Sequence, residues 1–132
     1  MHTLISRSDT ALIYQLGQSF FPPQYNSDYD CLELRSPKSA RIYGHTQYYL
    51  ELNFKIAPPR GHLCFFQLKN SLSYRGLRIL NPIHLDITKD YDLILYNSSF
   101  VPYCLEQGSV LGTLIFIRNF VPEILIVNEY GT

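Results

Sequence analysis

Residues 46–57 read TQYYLELNFKIA, and their alternation decides the fold class. Tyr48, Leu50, Leu52, Phe54 and Ile56 fall on one face, with Tyr49, Glu51, Asn53 and Lys55 on the other. A period of two sends successive side chains to opposite faces of an extended chain, so the stretch reads as one long half-buried strand. Pro58, Pro59 and Gly61 end it, because proline cannot donate to a ladder and glycine permits a turn. Downstream, residues 62–68 (HLCFFQL) resume the extended pattern, and residues 90–97 (DYDLILYN) run into a continuous apolar core. Asn97-Ser98-Ser99 is a turn signal, and residues 100–105 form a further short strand candidate. Residues 112–118 (GTLIFIR) and 123–127 (EILIV) are two more buried strand candidates, parted by Asn119-Phe120-Val121-Pro122. No ten-residue window carries the helical i, i+3, i+4, i+7 pattern behind a cap, and the best helical candidate is one turn over residues 70–74. Short strands punctuated by Pro, Gly and Asn indicate an all-β sandwich or jelly roll, one domain spanning residues 1–132.

Composition excludes several function classes. Lys+Arg 11 balances Asp+Glu 11, giving no net charge and arguing against phosphate neutralisation on a nucleic acid or a polybasic membrane anchor. Aromatics make up 14% of the chain, led by Tyr 11, a residue that suits half-buried pleated surfaces whose hydroxyls reach water. Cys31, Cys64 and Cys104 lie far apart with no CxxC pair, which points away from a zinc site or disulfide framework and toward a reducing compartment. The N-terminal residues have no apolar core after their charges, and no apolar run approaches a membrane span of about 20 residues. The chain therefore reads as soluble and intracellular, without nucleic-acid or membrane partners.

On residue chemistry alone, little stands out. His2, His45, His62 and His84 have no metal-ligand spacing and read as surface or satisfied histidines. Asp28 and Asp30 flank Tyr29, and Asp86, Asp90 and Asp92 surround Tyr91. Such carboxylates can hold a divalent cation or run acid–base chemistry, and they are also what solvated loops and edge strands carry. Glycine-rich phosphate loops and the GxSxG elbow are absent.

The order of segments resembles the trimeric dUTP nucleotidohydrolases, whose fold is a jelly roll of the β-clip type. Four blocks carry the likeness: NSDYDCLEL, FKIAPPRGHLCFFQLKNSL, NPIHLDITKDYDLILYN and GSVLGTLIF, in the family's order and spacing. The resemblance implies a dUTPase-like jelly roll, a homotrimer, and nucleotide-pocket positions at Asp30, Lys69, Asn70, Ser71, His84, Asp86, Ile87 and Thr113. Several of these depart from the family. The base aspartate is His84, the tyrosine that packs on deoxyribose is Ile87, and a glycine of the uracil-reading hairpin is Lys89. Asp86 is retained. In the phosphate block PRSG, Lys69 replaces the arginine and Asn70 the serine, while Thr113 replaces a later glutamine. Lysine keeps a charge but loses the bidentate fork of arginine. The glycine-rich fifth block, which closes over the nucleotide, has no counterpart.

Within this superfamily the chain is most similar to the catalytically inert dUTPase derivatives of adenoviruses, the products of the first reading frame of early region four. They share the shortened second block before Arg75-Gly76-Leu77 and the strand Asp92–Asn97 followed by an aromatic turn with Phe100 and Tyr103. The resemblance implies a pseudoenzyme: a viral regulatory or adaptor protein that binds host signalling or scaffold proteins. No catalytic residue is expected, and no cofactor. The chain would work in the host cytoplasm or nucleus. Tyr130-Gly131-Thr132 lacks the apolar end of a PDZ ligand. The alternative is a divergent, active dUTP pyrophosphatase using Mg2+, with His84 and Asp86 sharing the base role.

Overall fold

The computed structural model describes residues 9–84 and 88–129. In chain order the strands are β1 (Leu12–Gln15), β2 (Gln24–Asn26), β3 (Cys31–Arg35), β4 (Ala40–Ile42), β5 (Gln47–Glu51), β6 (Phe54–Ala57) and β7 (His62–Leu68). A single helical turn, α1 (Asn70–Tyr74), precedes β8 (Leu77–Ile79), β9 (Ile83–His84), β10 (Asp92–Asn97), β11 (Tyr103–Leu105) and β12 (Val110–Arg118). All pairing is antiparallel. The largest sheet has the order β2-β3-β12-β7-β9; β5-β10-β8 forms a second, and β1-β6 and β4-β11 are two-stranded ribbons. The all-β jelly-roll reading holds, and the buried apolar side chains form one cluster.

The period-two pattern predicts the buried face correctly. Leu50, Leu52, Phe54 and Ile56 are each 0–1% exposed. The stretch is nevertheless two strands, because Asn53 turns left-handed at φ 63°. Asparagine tolerates that conformation, and it lets one segment leave β10, which pairs with β5, and join β1, which pairs with β6. The Asn53 amide donates to the Ser19 carbonyl, and its own carbonyl accepts from Leu16. In β10, Leu93 and Leu95 point inward, and Tyr91 stacks on Phe54 with centroids 5.5 Å apart. Burial pushes the neighbouring Cys64 thiol up to about 12.

Two further expectations fail. The strand expected over 100–105 begins only at Tyr103, because the side chain of buried Asn97 organises residues 98–101 as a tight loop. The strand expected over 123–127 is absent. Those residues form no strand, and Ile124, Leu125 and Ile126 are each more than 80% exposed. A continuous apolar run is the mark of a strand covered on both faces, and nothing among the described residues of one chain covers it.

Gly112 fixes how closely β12 and β7 approach. A Cβ there would collide with the Gln67 carbonyl oxygen and lie 2.7 Å from the tip of the Phe66 ring. Gly112→Ala should therefore cost about 1–3 kcal/mol, read as a Tm lower by several degrees.

Asp92 supplies a second check. Its carboxyl is raised above the usual range, first by burial and then by the charges of Asp90 and Glu51, against a lowering hydrogen bond from the Leu52 amide. The unfolded chain gives up this proton first, so ionisation favours unfolding. That penalty is absent below the ordinary aspartate value and complete above the raised one. Asp92→Asn should raise Tm at neutral pH, and the gain should vanish as pH falls below about 4 in thermal melts across pH.

Candidate functional site

Three parts of the large sheet converge on one open cleft of about 700 Å³. The first is the β2–β3 hairpin. Its loop starts with an Asx turn, in which the Asp28 amide donates to Asn26 Oδ1, and it ends at Asp30 with φ 50°. The Tyr25 hydroxyl donates to Asp30 Oδ1 at 2.6 Å and pins the carboxylate across the hairpin. That hydrogen bond is the main reason the phenol lies above its ordinary value, so it stays protonated and able to donate.

The corner from β7 into α1 is the second part. The Lys69 amide donates to the Leu111 carbonyl at 2.8 Å, which ties the corner to β12. The Lys69 carbonyl then accepts from the Leu72 and Ser73 amides and starts the helical turn. Leu72 is buried, which leaves Lys69, Asn70 and Ser71 exposed along the cleft.

The third part is the floor. Thr113 on β12 pairs with Glu33 on one side and Gln67 on the other. Alternation puts these three polar residues opposite Leu34, Leu114, Phe66 and Leu68, which belong to the core. Gly112 lines the same floor.

Asp30, Lys69, Asn70, Ser71 and Thr113 thus line one cleft. His84 does not. It lies on β9, opposite the buried Cys64, and its ring meets the core residue Tyr91 edge-on at 4.8 Å, on the face of the sheet away from the cleft. Asp86 and Ile87 lie outside the described residues. Tyr29, beside Asp30 in the first block, also lines the cleft, as do Glu33 and Gln67, which no sequence motif marks. The alternation of CLELR and CFFQL gives the facing of Glu33 and Gln67, but only the strand order brings them to one place.

Charge is sparse in the cleft. Its described lining holds two carboxylates, Asp30 and Glu33, and one cation, Lys69. The nearby Arg35 is engaged, with Nη2 3.5 Å from Glu33 and Nη1 donating to the Gly108 carbonyl. Among the described residues, no group of three or more His, Cys, Asp or Glu side chains could hold a metal ion. The floor and rim can donate and accept hydrogen bonds through Gln67, Asn70, Ser71 and Thr113. They supply little electrostatic support for a polyanion.

No protein-family model matches the sequence, and no curated protein matches it. Solved structures do match. An aspartate-to-glutamate variant of the staphylococcal phage 80alpha dUTPase aligns over 92% of this chain and 90% of its own, with a TM-score of 0.76 and 14% identity. Another structure of the Staphylococcus bacteriophage 80alpha dUTPase aligns over 95% of this chain and all of its own, at a TM-score of 0.74 and 13% identity. The dUTPase of the S. aureus phage phi11 aligns over 92% of this chain and 97% of its own, at 0.74 and 14%. Backbone likeness over nine-tenths of both chains, at such low identity, establishes the architecture. The chain has the all-β, single-domain fold of the phage dUTPases.

Proposed function

We propose that this chain is a catalytically inactive dUTPase-fold protein, akin to the adenoviral early region four derivatives, that binds host signalling or scaffold proteins as a viral regulator. The observation that carries this reading is the cleft's charge. Asp30 and Glu33 face Lys69, and no arginine is among the described lining residues. Catalysis of phosphoryl transfer is almost entirely positioning and charge stabilisation, and with Arg35 taken up by Glu33, Lys69 is the one cation among the described lining residues to meet a triphosphate. His84 packs on Tyr91 on the core side of the sheet, which takes the candidate base away from the same chain's cleft floor. The protein would need no cofactor and would act in the host cytoplasm or nucleus.

Active dUTP hydrolysis is the second reading. The fold likeness to dUTPases and the convergence of Asp30, Lys69, Ser71 and Thr113 on one cleft favour it. Under that reading Mg2+ would accompany the nucleotide. Pyrophosphate release from dUTP with Mg2+ separates the two. The inactive reading expects no turnover above buffer, and turnover at an enzyme-like rate overturns it.

A homotrimer belongs to the same proposal. The unpaired run Ile124, Leu125, Ile126 and Val127 supports it, because a strand from a second copy has the shape and hydrophobicity to be covered between copies. Light scattering should give a particle of three 15.3-kDa chains, and Ile126→Asp should lower the mass toward one chain. A monomeric wild-type chain would end the trimer proposal.

A further inference from the structure

The loop after β10 is built more firmly than a connection needs. Asn97 is fully buried, and its amide nitrogen donates to the carbonyls of Ile42 (3.1 Å) and Val101 (2.8 Å). Its carbonyl oxygen accepts from the Ser99 amide at 3.0 Å and from the Ser99 hydroxyl at 2.9 Å. The same hydroxyl accepts from the Val101 amide at 3.2 Å. Ser98 holds the Gly76 carbonyl with both its amide and its hydroxyl. Gly44 closes the other side, where a Cβ would come within 2.8 Å of the Phe100 carbonyl oxygen.

This bracing presents two apolar side chains to water. Phe100 is 89% exposed and Val101 71%. The His45 ring meets Phe100 edge-on at 4.5 Å, from a residue whose own φ is 57°. Tyr43, on the same segment, is 59% exposed and lies under the Arg41 guanidinium at 5.6 Å. Two cations border the loop: Arg41 over Tyr43, and the exposed Arg75, whose chain neighbour Gly76 is held by Ser98, with Glu106 the carboxylate that acts with Arg75 on Tyr103. A rigid aromatic tip with its side-chain freedom already lost is what makes a binding anchor efficient, and aromatic residues and arginine dominate such anchors.

We propose that residues 98–101 form a preformed docking knuckle that takes an acidic, apolar segment of another protein against Phe100 and Val101, beside Arg41 and Arg75. The knuckle shares no residue with the cleft lining, so it stands whether or not dUTP is turned over.

The test uses random linear peptides displayed on a surface and selected on the full wild-type chain. Enriched peptides should combine bulky apolar residues with Asp or Glu. Their affinity should fall at least about tenfold on Phe100→Asp, less on Arg41→Glu, and should weaken as salt rises. Ser99→Ala, which loosens the loop without removing its tip, should weaken the same peptides about threefold by lost preorganisation. Because Phe100 touches little of the body, Phe100→Asp should keep the wild-type Tm. Peptides that bind Phe100→Asp as tightly as wild type, or a pool without acidic residues, overturn the proposal. So does a Phe100→Asp chain with altered mass by light scattering, since the loop would then be a contact between copies.

Discussion

Strand β12 is the member on which the rest of the structure depends. It is hydrogen-bonded to β3 over its first half and to β7 along most of its length. Leu111 and Leu114 project into the core, and Thr113 projects onto the cleft floor. The approach to β7 is so close that only glycine fits at position 112. This one constraint aligns β3 and β7, and with them the β2–β3 hairpin and the α1 corner that wall the cleft. Core and cleft are opposite faces of the same sheet. The core face needs shape and hydrophobicity, whereas the cleft face can change its chemistry without disturbing the packing beneath.

Much of the fold was legible because burial imposes a period of two. Leu50, Leu52, Phe54 and Ile56 were identified as one face, and α1 was placed at its observed residues. The break at Asn53 was not legible, since a single left-handed residue leaves the alternation intact while redirecting the strand to a new partner. The run EILIV has a composition that demands cover. Composition cannot say whether the cover comes from the same molecule.

The cleft was partly legible for a related reason. Asp30, Lys69, Asn70, Ser71 and Thr113 were brought together through the order of the sequence blocks, and they do share one cleft. Glu33 and Gln67 were not singled out, because their meeting at Thr113 depends on the order β3-β12-β7, which no local pattern encodes. Glu33 also bears on the electrostatics, since it draws Arg35 into an ion pair at 3.5 Å and leaves Lys69 as the one cation among the described lining residues. His84 shows the converse limit. Its place in a sequence block says nothing of the sheet face it takes, which here is the core face, against Tyr91.

If the proposed trimer covers the strandless segment beyond β12, that segment ties the protein's solubility to its concentration. Ile124, Leu125 and Ile126 together form a short window of high β-propensity that is charged only at its start, the kind of segment that seeds aggregates when left in water. In the proposed trimer its cover comes from a second molecule, so shielding follows mass action and strengthens as molecules accumulate. Newly made chains at low abundance are the most exposed population, and a holdase that grips extended apolar segments would compete for them before assembly does.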